Sequence, residues 1–213
     1  MTKELKIMFG IAIVVIAGAV LLFLKGNPPA HVPLADAGRL VRDDSDMTGS
    51  KDAKVTLVEF GDYECPFCGA LNPVIEKLLA DYKDNKDFNY VFRNFPLAQH
   101  QYAKLAAEAA EAAGAQGKFW DMHNKIFDNQ NSWTGNSQPL DIFTSFAQIL
   151  GLDINKFKDA VQNNQAQDKI TEDLDDGNAL GVNATPTLYL NGKQESATDY
   201  DNLKKDIDAA LKQ

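Results

Sequence analysis

A chain of 213 residues, 45% of them apolar, can bury one sizeable core, as one domain with an appendage or as two small ones. Its net charge of −9, with Lys and Arg scattered among acids, leaves no basic stripe for phosphates and argues against a nucleic-acid partner. Two cysteines are too few for a disulfide framework, so in an oxidising compartment they would have to be catalytic.

Residues 1–6 carry Lys3 and Lys6 and are predicted to stay in the cytoplasm. Residues 7–24, from Ile7 to Leu24, hold no charge and reach the short end of the length that spans a bilayer. The lysines before them favour a single-pass, N-in anchor in the cell membrane, with the remainder outside the cytoplasm. A cleaved leader has a shorter apolar region and a small-x-small site close behind it. Here Lys25-Gly26-Asn27-Pro28-Pro29 follows a long run, which favours an uncleaved anchor over a secreted form. Residues 1–25 contain three lysines and one glutamate, so the outside portion carries 18 basic and 29 acidic residues, near −11.

Residues 25–53 read as a linker. Pro28, Pro29 and Pro33 make its first part extended and semi-rigid. The runs at 43–46 and 49–52 are polar and turn-rich, and Leu40-Val41-Arg42 is predicted as a short edge strand at 40–42. His31 reads as an exposed side chain without a role.

Residues 54–213 read as the folded body. Val55 to Phe60 is a short buried strand, broken by Gly61 and Asp62. Cys65-Pro66-Phe67-Cys68 follows. Pro66 suits the first turn of a helix, which puts Cys65 at a helix N-terminus. Free N–H groups and the positive dipole end favour a thiolate there, and such placement lowers a cysteine pKa below ~8.5. Cys68, one turn on and on the same face, can close a disulfide with Cys65 or resolve a mixed one. Half a zinc site would need two more ligands, and His31, His100 and His123 lie far from the pair and from one another in sequence. A structural staple across so short a loop would remove little chain entropy. Two inert core thiols are the remaining alternative to a redox dithiol. No metal or organic cofactor is indicated.

The helix after Cys68 should run to about Tyr82 with a kink at Pro73. Phe88 to Phe92 alternates as a strand, giving strand–helix–strand. Ala103–Ala113, Phe119–Phe127, Gln138–Leu150 and Asp153–Gln162 are predicted helices, the last capped by Asp153. Asn129–Gln138 reads as a polar turn region around Trp133. These helices are too many for a crossover and form an all-helical insert at about 99–163. Its stripe of Phe119, Trp120, His123, Ile126 and Phe127 reads as core rather than a peptide groove, and His100 and His123 as surface or satisfied histidines. Gln165–Leu180 is a further helix, whose Glu172, Asp173, Asp175 and Asp176 read as a solvated face. Thr187–Leu190 alternates as a strand, Asn191-Gly192 signals a hairpin, and a helix capped by Thr198 closes the chain.

Two stretches carry a resemblance: Val-Glu-Phe-Gly-Asp-Tyr-Glu-Cys-Pro-Phe-Cys at 58–68 and Gly-Val-Asn-Ala-Thr-Pro-Thr-Leu-Tyr-Leu-Asn-Gly at 181–192. Over residues 40–213 the chain resembles the DsbA-like thiol–disulfide oxidoreductases, and with its anchor the disulfide-forming proteins of Gram-positive bacteria. The resemblance implies an α/β thioredoxin fold with an all-helical insert, preceded by a single transmembrane helix. It implies that Cys65 is the exposed nucleophile and Cys68 the buried resolving cysteine. It implies a cis bond before Pro186, and that Thr185 and Pro186, with Pro66 and Phe67, meet an extended substrate. Glu59, six residues before Cys65, matches a buried acid that relays the Cys68 proton. Glu64 is expected to be a solvent-exposed acid. One departure is Phe67, where the best-known strong oxidant of the family has a histidine that can donate to the thiolate. An intermediate, still oxidising potential follows.

The implied function is an extracytoplasmic enzyme that donates a disulfide to thiol-containing polypeptides, reoxidised by a quinone-linked membrane partner. A reductase or isomerase on the same fold, a peptide-binding chaperone or assembly factor, and a metal-binding module are the alternatives.

Overall fold

The structure, a computed structural model, describes residues 34–213. The predicted anchor at 7–24 and the proline-rich start of the linker lie outside the described residues. Among the described residues no helix is long and apolar enough to cross a membrane.

A five-stranded sheet runs in the order β1 (Asp46–Gly49), β3 (Phe88–Asn94), β2 (Val55–Gly61), β4 (Thr187–Leu190), β5 (Lys193–Glu195). The apolar run of β2 takes the central place, where both faces of a strand are covered. It pairs in parallel with β3, the crossover being helix α1 (Pro66–Tyr82), while the other pairs are antiparallel. Alternation sends Val55 and Leu57 into one core with Cys68, Ile75 and Leu78, and Val58 and Phe60 into a second with Val91, Phe95 and Tyr189. The same period of two puts Glu59 on the Leu57 face, the side on which Cys68 lies.

Between β3 and β4 come α2 (Ala103–Gly114), α3 (Phe119–Asp128), α4 (Gln130–Trp133), α5 (Pro139–Ile149), α6 (Ile154–Gln162) and α7 (Gln167–Ala179); α8 (Tyr200–Ala210) closes the chain. Ala106, Ala109, Ala110 and Ala113 are fully buried, and their small side chains let α2 sit against α3 and α6. The aromatic stripe of α3 is core, with only Trp120 half-buried. Asp153 caps α6 by accepting from the N–H groups of Asn155 and Lys156. Asn191 and Gly192 turn the final hairpin with φ of 48° and 80°. Helix α1 continues through Pro73 to Tyr82.

Several expectations are corrected. The edge strand is residues 46–49, not 40–42. Leu40 is drawn into the second core, and the Arg39 and Leu40 carbonyls accept from Arg93 Nη1 at 2.7 and 3.1 Å, so this stretch is engaged by side chains instead of a strand. The acidic run of α7 is a solvated face only in part: Asp175 is exposed and Glu172 half-buried, but the other two are not. Asp173 and Asp176 are 2% and 1% exposed, and they meet Arg93 at 2.5 and 2.8 Å. Their i,i+3 spacing puts both on the side facing β3, where the fully buried Arg93 requires countercharge. Trp133 belongs to no polar turn: it is fully buried, with Nε1 donating to the Ile126 carbonyl at 2.8 Å. The last helix is capped by Asp199, one residue after Thr198, which accepts from the Asn202 N–H.

Candidate active site

The central strand ends at Gly61, and four residues later Cys65 stands as the N-cap of α1, with extended φ and ψ of −71° and 121° and Pro66 behind it in the first turn. Both cysteines are free thiols. Cys68 is fully buried. Cys65 was expected to be exposed, but it is only 4% exposed. Its Sγ donates to the Thr185 carbonyl at 3.3 Å, and the Thr185–Pro186 segment stands beside it. The Thr185–Pro186 peptide bond is cis. The surface of the site is made by the motif's middle residues: Pro66 is exposed, and Phe67 is 73% exposed.

The two thiols differ in acidity. Hydrogen bonding from the Cys68 thiol, aided by Thr185 and the N–H groups at the helix start, outweighs burial and brings Cys65 down to about 5. The buried Thr185 hydroxyl has no hydrogen-bond partner among the described residues. Burial pushes Cys68 up, and its neighbours Cys65 and Glu59 push it further. The opposing contact is the Asp62 N–H, which donates to Cys68 Sγ at 3.5 Å. Glu59 is 3% exposed, and burial raises it to about 7 despite a hydrogen bond from the Tyr90 hydroxyl at 2.7 Å. A carboxyl that changes state near neutrality therefore lies close enough to Cys68 to shift it.

Around this centre the loop is fastened from several sides. The Asp62 carboxylate accepts from the Glu64 N–H at 2.7 Å, the Leu97 N–H at 2.8 Å and His100 Nδ1 at 2.7 Å. Gln130 Nε2 donates to the carbonyls of Tyr63 and Cys65 at 2.8 and 2.9 Å, so the insert itself grips the start of α1. The Tyr63 hydroxyl bonds His123 Nδ1 at 2.9 Å, and burial lowers His123 to about 3, leaving it neutral. Glu64, expected to be solvent-exposed, is half-buried and accepts from the Tyr102 N–H at 2.5 Å, because its carboxylate serves the first turn of α2. Asp62, His100 and Gln130 were not read from the sequence as site residues. An Asp two residues before a backbone N–H it accepts from is an Asx-turn signal that could have been seen; Gln130 carries no such signal. Among the described residues no cluster of His, Cys, Asp and Glu is placed to hold a metal ion.

A thioredoxin-type sheet with an acidic, helix-capping cysteine and a less acidic, buried partner defines the class: a DsbA-like thiol–disulfide oxidoreductase. The comparisons agree with it. A family model described as thioredoxin matches residues 42–209, and the chain belongs to that family. The crystal structure of oxidised BdbD from Bacillus subtilis superposes with a TM-score of 0.73 at 27% identity, covering 87% of this chain and 98% of that one. A probable disulfide bond formation protein D of Bacillus cereus is 29% identical, over 98% of this chain and 96% of its own length. A Na(+)/H(+) antiporter NhaA 1 of Salinispora arenicola is 39% identical over 71% of this chain. The chain spans only 22% of that antiporter's length.

Proposed function

We propose that this protein donates a disulfide from Cys65–Cys68 to thiol-containing polypeptides outside the cytoplasm. The observation that carries the reading is the placement of Cys65 at the N-terminus of α1, beside the Thr185 carbonyl and one turn from the buried Cys68. A thiolate stabilised at about 5 favours the reduced dithiol, and so makes the disulfide the more oxidising partner. A substrate thiolate attacks Cys65 Sγ, the S–S bond breaks, and its electron pair leaves on Cys68. Glu59, raised to about 7, supplies the proton that Cys68 takes up. A second substrate thiolate attacks the substrate sulfur of the mixed disulfide and expels Cys65 as the thiolate. Extended substrate lies along Thr185 and Pro186, with Pro66 and Phe67 as the apolar rim.

The location rests on residues 7–24 as a single-pass, N-in anchor. A quinone-linked membrane protein would return the dithiol to the disulfide. The name of the Bacillus cereus relative, a probable disulfide bond formation protein, supports disulfide formation as the direction; transport, which the antiporter's name describes, is not carried over.

The test is oxidative refolding of a reduced, denatured disulfide protein by the oxidised full chain. Wild type should form disulfides in the substrate stoichiometrically, and Cys65→Ser should form none. Equal refolding yields from the two would exclude the dithiol and favour a chaperone.

A further inference from the structure

We propose that Asp62 and His100 are positioning residues for the exchange reaction: together they hold the Asp62 N–H against Cys68 Sγ, where the departing electron pair arrives. The inference rests on the disulfide-exchange reading and names what governs its slow atom.

Asp62 touches both ends of the dithiol through its backbone. Its carbonyl accepts from the Cys65 N–H at 3.1 Å, and its own N–H reaches Cys68 Sγ at 3.5 Å. When a thiolate attacks Cys65 Sγ, a new S–S bond forms, the Cys65–Cys68 bond breaks, and the electron pair leaves on Cys68. Cys68 is fully buried. A thiolate there has few donors to call on, and burial of charge without them is costly. The Asp62 N–H is the backbone donor within reach.

Its aim depends on the carboxylate. Asp62 is 1% exposed, and its two oxygens accept from Glu64 N–H, Leu97 N–H and His100 Nδ1. One bond closes the turn on itself; the other two tie it to the segment after β3. A carboxyl group held by three partners has one preferred position, which fixes the turn and with it the N–H. His100 is the one of the three that is a side chain, so it can be changed without altering backbone. Its ring is about one-fifth exposed, on a loop, and not part of either core.

The test uses the oxidised full chain and dithiothreitol, reading release of Cys68 by acid quench, alkylation and mass. His100→Leu removes the donor; His100→Asn keeps an N–H within reach of Asp62. Reduction of His100→Leu should be about tenfold slower, the scale of a weakened hydrogen bond to a charged group. His100→Asn should recover most of the rate. Iodoacetamide alkylation of Cys65 in the reduced protein should be unchanged, since the device acts on Cys68. A purely structural role would lower the melting temperature of His100→Leu while leaving its reduction rate at the wild-type value. That result would overturn the proposal, as would slowing that His100→Asn fails to rescue, or slowing matched by loss of Cys65 alkylation. The rate is measurable whichever way the couple runs in the cell, so failure here is distinct from failure of the disulfide-donor reading, which the reduction potential decides.

Discussion

Cys65 and Cys68 share one turn of helix, yet their hydrogen bonds and burial send them in opposite directions. The motif and Pro66 announced the helix start, and the helix start is part of why Cys65 is acidic. The rest of the effect, the Cys68 thiol and Thr185, comes from packing and from a segment 120 residues away. Thiolate absorbance of the reduced full chain should therefore titrate with a midpoint of about 5; a midpoint near the ordinary ~8.5 would contradict the geometry. Glu59 makes a second prediction. Folded Glu59 holds its proton to about 7, whereas in the unfolded chain it is lost at the ordinary value of 4.5. Stability is thus full below 4.5 and falls as pH rises to 7, because a charge is then forced into the core. Glu59→Gln should flatten that slope and be more stable than wild type at pH 8, by about 3 kcal/mol. An unchanged slope in chemical denaturation would place the burial of Glu59 in doubt.

The elements were readable wherever one local pattern decided them. The strand at 55–61 is a mostly apolar run rich in β-branched residues, the hairpin is Asn-Gly, and the alanines of α2 favour one structure. What could not be read was pairing across the chain. Nothing near Asp173 or Asp176 in sequence indicates that Arg93, some 80 residues earlier, will be buried against them, so an acidic run looked solvated. The same ion cluster explains why residues 40–42 are not a strand: Arg42 also reaches Asp176, at 2.5 Å. Arg93→Ala would leave two buried carboxylates short of a partner and two carbonyls without their donor. It should cost about 3–5 kcal/mol in urea denaturation; a loss below about 1 kcal/mol would show that the cluster is not structural. Burial opposes ionisation of Asp176, but hydrogen bonds from Arg42 and Arg93 prevail and hold it at about 2, against 3.8 ordinarily. Its contribution is therefore present above 3.8 and lost as pH falls towards 2, worth about 2 kcal/mol. Acid unfolding followed by circular dichroism should show that loss, and Asp176→Asn should lack it.

For the whole molecule, the insert is more than a cover. Gln130 from α4, His123 from α3 and the Tyr102 N–H before α2 each bind the loop that carries the cysteines. The fold was legible because its two signature stretches, at 58–68 and 181–192, lie on neighbouring strands β2 and β4 and the loops beside them. How the insert grips the loop was not, since a glutamine in a polar stretch has no periodicity to betray it. All of this arrangement favours a stable dithiol, and hence a disulfide that is readily given away. The most direct measurement is the reduction potential of Cys65–Cys68 in the full chain, by equilibration with glutathione. A value above about −180 mV is the predicted result and supports disulfide donation. A value of roughly −270 mV would mean that the dithiol is the working form and that the protein is a reductase.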